Sequence, residues 1–275
     1  MTSQALTGTA AEKTGEAAAV RIANVSKTFT GRRKARRAAL EGVDLDIAPG
    51  EFLCLLGPSG CGKSTLLNLL AGFEFPDSGQ VSVGGRPITG PGPDRGVLFQ
   101  TPRLFPWLTT WQNVLYGPRA RRALTPSVRE EAAALLETVG LSDAKDAYPH
   151  ELSGGMRHRA AFARVLVNRP GVLLMDEPFG ALDAITRANL QRFLLELWQS
   201  RPTTIVFVTH DVEEATLLGD RVAVLSGAPG RTKAILDVQL SRPRSYDDTE
   251  TLEFVTAKRR IREVLEAGTG SGSGS

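Results

Sequence analysis

Residues 57–65 read GPSGCGKST, three glycines around a short loop that ends in a lysine and two hydroxyls. The pattern G-x-x-x-x-G-K-[ST], with an apolar run before it and a helix-forming stretch after it, predicts a loop whose backbone N–H groups cradle phosphates. In that loop Lys63 would reach the β- and γ-phosphates, and the Ser64 hydroxyl would ligate magnesium. Residues 172–178, VLLMDEP, add an apolar strand ending in two carboxylates. Asp176 is placed to hold magnesium through water and Glu177 to orient or deprotonate an attacking water. A polar strand end capping the next turn is the competing reading, and the preceding phosphate loop makes it the poorer one. Residues 152–164, LSGGMRHRAAFAR, set a serine that can cap a helix before free backbone N–H groups. Taken alone, that stretch is either a generic anion site or simply a helix start. Phosphoryl transfer needs positioning and charge stabilisation more than a covalent nucleophile, so these residue types suffice for it.

These residues need strand ends to hold them. Short apolar runs at 51–56, 97–99, 172–175, 205–208 and 222–225 predict buried strands, with strand character also at 20–29 and 43–47. Helical patterns at 63–71, 184–199 and 212–218 alternate with the runs, as in a parallel α/β sheet. Residues 101–168 break the rhythm with helical patterns at 111–120, 126–139 and 155–168 and no strand signal, which predicts a helical insertion. A last helix over 249–267 mixes apolar and basic residues and is expected to pack on the body.

The chain of 275 residues carries 33 basic and 30 acidic side chains and is 41% apolar, an ordinary globular balance. No apolar run exceeds five residues, against roughly 20 for a bilayer crossing, so no span is expected. Arg32, Arg33, Lys34, Arg36 and Arg37 form the one basic cluster, read as a solvated loop rather than a nucleic-acid contact. Of the two cysteines, Cys54 reads as a small buried hydrophobe and Cys61 as a tolerated loop residue, which suits a reducing compartment. Residues 1–18 read as a disordered tail, and residues 268–275 (GTGSGSGS) as a flexible linker or tag remnant.

Together, the phosphate loop, a glutamine after a strand (Gln100 in GVLFQ), LSGG at 152–155, LLMDEP, GALD at 180–183 and THD at 209–211 resemble the ATP-binding subunit of ATP-binding cassette (ABC) transporters over residues 20 to 240. The resemblance implies an α/β fold, a P-loop NTPase core with a mixed sheet flanked by helices, an inserted helical subdomain at 101–168 and an N-terminal antiparallel β region. The cassette would span 19–240, followed by a helical extension at 241–267. ATP and Mg2+ are the implied ligands. Gly57, Pro58, Ser59, Gly60, Cys61, Gly62, Lys63, Ser64 and Thr65 would cradle the nucleotide, with Phe29 under the adenine. Ser64, Gln100 and Asp176 would serve the metal, Glu177 would be the catalytic base, and His210 would contact the γ-phosphate. The resemblance also gives the serine and glycines of LSGG a purpose, because Ser153, Gly154 and Gly155 would reach the γ-phosphate of ATP held by a second copy. Asp183 would lie at that head-to-tail dimer interface. His158, where many relatives have glutamine, is read as a surface or helix-face residue without a catalytic role.

The flanks PDRGVLFQTPRLFPWLTTWQNVLYG and RPRS…AKRRIREVLE are similar to those of importers of the nitrate, sulfonate and taurine group. Leu104, Phe105, Pro106, Trp107 and Leu108 would then form an exposed patch against a transmembrane permease subunit, with a solute-binding protein as an indirect partner and the cytoplasmic face of the membrane as location. Competing functions are the motor of a lipid or lipoprotein exporter and a soluble cassette ATPase acting on DNA or ribosomes. The importer-like flanks argue against the first, and the absence of a long coiled-coil insertion argues against the DNA-repair form of the second.

Overall fold

Alternation and continuous apolarity divide the strands into two sheets in a computed structural model that describes residues 16–30, 36–180, 182–201 and 203–267. The first part of the chain runs β1 (Val20–Thr30), β2 (Arg36–Ile47), β3 (Phe52–Leu56), α1 (Lys63–Ala71), β4 (Ser78–Val83), β5 (Arg86–Pro87) and β6 (Arg95–Leu98). Three helices follow, α2 (Thr110–Ala120), α3 (Pro126–Thr138) and α4 (Gly154–Leu166). The last part is β7 (Val172–Asp176), α5 (Ala184–Ser200), β8 (Thr204–Val208), α6 (Val212–Leu218), β9 (Arg221–Leu225), β10 (Thr232–Asp237) and α7 (Leu252–Glu266).

All five residues of β3 are buried, because Leu53 and Leu55 face one core and Phe52, Cys54 and Leu56 the other. Burial on both faces is what a parallel strand between layers requires. The sheet order is β10-β9-β3-β8-β7-β6, parallel except for the antiparallel edge strand β10. The antiparallel sheet β2-β1-β4-β5 buries one face only, through Val20, Ile22 and Val25 of β1 and Val43, Leu45 and Ile47 of β2. Leu66, Leu67, Leu69 and Leu70 of α1 fill the space between the two sheets.

Among the described residues, 101–168 contain no strand, and α2, α3 and α4 pack together over the second core. Thr109 and Gln112 close a reciprocal cap on α2, and Thr125 caps α3 just before Pro126. Helix α7 rests on α6 through buried Phe254 and Ile261 and the Lys258–Glu213 ion pair. Arg244, also buried, donates to the carbonyls of Thr216, Gly219, Val238 and Leu240, ending α6 where backbone acceptors are otherwise unpaired. No helix among the described residues is long and apolar enough to cross a membrane.

Several expectations change. β2 begins at Arg36, well before residue 43, so Arg36 and Arg37 belong to a strand and not to a solvated loop; Arg32, Arg33 and Lys34 lie outside the described residues. Strands β4, β5 and β10 carry no strong apolar run and were not expected. Ala18, within the expected tail, is tied to the body, donating to Gly171 and accepting from the Thr204 hydroxyl. Residues 1–15 and 268–275 lie outside the described residues. His158 is 4% exposed rather than on the surface. Burial holds its imidazole pKa below the usual histidine range, and the Pro178 backbone opposes that shift.

Candidate functional site

Parallel strands end at the same level of a sheet, and the loops leaving their carboxyl ends converge. In this register Leu98 is level with Met175, Asp176 with Val208, and Val208 with Leu55. Residues just beyond those ends, namely Gln100, Glu177, His210 and the loop after Leu56, therefore share one edge.

The loop at 57–65 is forced into its curl by backbone demands. Gly60 and Gly62 hold φ values of 76° and 96°, in the left-handed region. A side chain at Gly62 would also come within 2.6 Å of the Ala39 carbonyl and of Leu40. Inside the curl, Lys63 is 7% exposed and donates to the carbonyls of Gly57 (2.7 Å) and Pro58 (3.1 Å). The loop thus wraps around its own cation. Cys61 is buried as a free thiol, as is Cys54.

Ser64, the second residue of α1, donates to Asp176 at 3.2 Å, so two hard oxygen donors stand side by side. Burial pushes the Asp176 carboxyl up, the neighbouring Glu177 adds to the rise, and the Ser64 hydrogen bond and Lys63 oppose it. Glu177 adopts φ 44°, a costly conformation for a residue with a Cβ, and its N–H is held by the Val208 carbonyl at 3.0 Å. Its carboxylate meets His210 Nδ1 at 3.2 Å. Beneath His210, the Thr209 hydroxyl donates to Glu214 at 2.6 Å and accepts from the Asp211 N–H, while Gln191 of α5 donates to the second oxygen of Glu214.

A cleft of about 440 Å³ runs along this edge, lined by Phe29, Arg37, Ala39, Ser59, Gly60, Gly62, Lys63, Ser64, Thr65 and Glu177. Phe29, near the end of β1, is 39% exposed, which leaves its ring available at the cleft mouth. Gln100 is exposed two residues after β6. Ser153, Gly154, Gly155 and Asp183 are not part of the cleft. Ser153 caps α4, accepting from the Met156 N–H at 3.2 Å, and it and Gly154 are exposed. Asp183 caps α5 through the Thr186 N–H at 2.9 Å, and that bond draws its carboxyl below the ordinary range. A methyl at Gly155 would lie 3.7 Å from Thr186, so the two helix starts are neighbours. The cleft residues and the residues at the starts of α4 and α5 thus form two separate groups on a single chain. Arg37 and Ala39 in the cleft were not expected; the i, i+2 spacing of the strand that carries them is the signal that finds them.

The lining, phosphate-shaped loop and acidic strand end give this cleft the features of a nucleoside triphosphate site. The ABC transporter family model matches residues 40–180. The chain is 44% identical to the aliphatic sulfonates import ATP-binding protein SsuB of Bacillus subtilis, over 92% of this chain and 99% of that one. It is 47% identical to the taurine import ATP-binding protein TauB of Chromobacterium violaceum, over 91% and 95%. Among solved structures it is similar to a dimeric ATP-binding cassette in a post-hydrolysis state bound to ADP and Pi, with TM-score 0.72 and 31% identity over 81% of this chain and all of that one. Fold, site and kinship agree that the chain belongs to the ABC transporter family, as one of its ATP-binding, ATP-hydrolysing subunits.

Proposed function

We propose that the chain powers import of a small anionic or zwitterionic solute of the sulfonate, taurine and nitrate kind, working as a head-to-tail pair on the cytoplasmic face of the membrane. The observation that carries the catalytic part is the contact between Glu177 and His210 at the strand ends, directly beside Lys63 and Ser64. The Gly57–Thr65 backbone and Lys63 bind the phosphates, and Phe29 stacks under the adenine. Glu177 takes a proton from the water that attacks the γ-phosphorus as the bond to the β-phosphate oxygen breaks, releasing ADP and phosphate. His210 holds the Glu177 carboxylate on its 3.2 Å contact and reaches the γ-phosphate.

The adjoining Ser64 and Asp176 oxygens suit Mg2+, which prefers hard oxygen donors and completes its shell with phosphates and water. Ser64, Asp176 and Gln100 would hold it. Bound there, the ion neutralises charge on the β- and γ-phosphates.

Ser153 and Gly154 stand exposed and Gly155 half-buried at a helix start outside the cleft, which fits a role toward the ATP of a second copy, with Asp183 beside them at the joint. Of the 104–108 loop only Pro106 and Trp107 are exposed, Leu104, Phe105 and Leu108 being half-buried; Trp107, 70% exposed and tilted against Phe105, supports permease contact there. The import reading rests on the relatives that act on sulfonates and taurine, and a solute-binding protein completes such a system. Nucleic acid has no part in it.

Glu177→Gln keeps the shape and removes the base. It binds ATP and dimerises, while steady-state hydrolysis falls by about 100-fold or more. Near-normal turnover overturns the base assignment. The same variant, loaded with ATP and incubated with detergent-solubilised native membranes, recovers a polytopic membrane subunit; recovery of ribosomes or nucleic acid alone overturns the transport reading.

A further inference from the structure

We propose that Arg37 is a nucleotide-binding residue, its guanidinium pairing with the phosphate chain at the end nearest the ribose. The inference rests on the Gly57–Thr65 cleft being where ATP binds.

Strand register supplies the placement. Phe29 and Arg37 are direct partners across the antiparallel pair β1/β2, and such partners project their side chains to the same face of a sheet. Arg37 and Ala39, two residues apart, both line the cleft, whereas Arg36, the first residue of β2, and Ala38 do not. The guanidinium reaches the phosphate loop itself, since a methyl group at Gly60 would lie 3.7 Å from its terminal nitrogen. Arg37 therefore stands between the ring that would carry the base and the loop that would carry the phosphates.

Charge supplies the purpose. Lys27, whose ammonium lies 5.3 Å from the centre of the Phe29 ring, is already committed to Glu74, Asp77 and the Phe75 carbonyl. The Arg37 side chain has no hydrogen-bond or ion-pair partner among the described residues, although it is exposed at the rim of a cleft shaped for an anion. A guanidinium carries five donors in a planar fork matched to phosphate oxygens, and a bridge of that kind to an oxyanion is stronger than a neutral hydrogen bond. Its position on the ribose side of the loop makes the contact common to ATP and ADP, and phosphate rather than base recognition makes it indifferent to the purine.

The experiment compares Arg37→Ala, Arg37→Lys, Arg36→Ala and Lys63→Ala by nucleotide titration of the full chain, with thermal melts to check that each is folded. Arg37→Ala raises the Kd for ATP, ADP and GTP by a common factor of about five to ten, the size of a charge-assisted bond at a partly solvated site. Arg37→Lys retains part of the affinity, and Arg36→Ala matches the unmodified protein. Raising salt narrows the gap between Arg37→Ala and the unmodified protein, because exposed charge pairs are screened. An Arg37→Ala Kd equal to that of Arg36→Ala overturns the proposal, and so does a loss confined to adenine nucleotides, which would place the guanidinium on the base. If Lys63→Ala binds ATP normally, the location of the nucleotide fails instead, a result separable from any behaviour of Arg37.

Discussion

Asp176 stands at the half-buried end of β7, where burial, and after it the charge of Glu177, favour its neutral form, so the folded chain holds this carboxyl above its ordinary range. For an acid whose folded pKa is raised, the ionised form penalises folding. That penalty is present at pH values above the folded pKa and fades as pH falls through it towards the ordinary carboxylate range, where both folded and unfolded chains are protonated. Asp176→Asn keeps an acceptor for the Ser64 hydroxyl and removes the charge. The variant should therefore melt higher than the unmodified protein at pH 7 without ligand, with the gap closing in acid. Adding ATP with Mg2+ should reverse the order, because the unmodified site gains a cation that the variant lacks a charge to hold. Equal melting temperatures in the absence of ligand would show that Asp176 bears no such strain. The nature of this residue was legible from VLLMDEP, since two carboxylates after four buried apolar residues must emerge at a strand end. The φ of 44° at Glu177 was not, because no local residue preference marks a glutamate for the left-handed region.

His210 is positioned by the elements beneath it. Glu214, one turn into α6, receives the Thr209 hydroxyl on one oxygen and the Gln191 amide on the other, and Asp211 caps the same helix through the N–H of Glu213. Glu214→Ala leaves a buried hydroxyl and a buried amide without their acceptor, at about 1–3 kcal/mol for each such orphan. The urea midpoint should fall accordingly, and amide exchange at 209–211 should quicken as the loop bearing His210 loosens. An unchanged midpoint with unchanged exchange would mean that the loop is held by other contacts. At this scale the sequence was readable wherever a strand is buried on both faces. β3, β7 and β8 are continuous apolar runs because helices or a second sheet cover each side. β4 (SGQVSV) and β10 (TKAILD) lie in antiparallel pairings, with exposed polar residues that break any run. The first half of β2 was hidden for a related reason: Arg36 and Arg37 look like a solvated charge run until pairing with Thr30 and Phe29 is known. His158 misled in the opposite direction, as a polar residue between Arg157 and Arg159 looks solvated until the packing that buries it in three dimensions is known.

On a single chain the cleft at Gly57–Thr65 and the exposed start of α4 are separate groups, so a site completed by a second copy makes a prediction that no single variant can test. Lys63→Ala removes the phosphate cation from the cleft. Gly154→Asp places a negative charge at the start of α4, where an added Cβ meets nothing closer than Arg157 at 4.0 Å and where an acidic side chain suits the helix dipole, so the chain itself should fold. Each variant alone should fail to hydrolyse ATP, since in a symmetric pair both composite sites carry the defect. Mixed one to one, they should form hybrid pairs in which one site joins both defects and the other joins an intact cleft to an intact α4 start. About half of the pairs are hybrids and each keeps one working site of two, so activity should return to at most about a quarter of the unmodified level. Return of activity on mixing requires that residues of two chains meet at one nucleotide. Its absence, with hybrid pairs confirmed by differently tagged chains, would mean either that the α4 start serves its own chain or that one intact site cannot turn over beside a dead one. A covalently linked pair carrying both defects in one half, leaving the other half unmodified, separates these. In the head-to-tail arrangement it keeps no intact composite site and must be inactive, whereas sites contained within single chains would leave its unmodified half working.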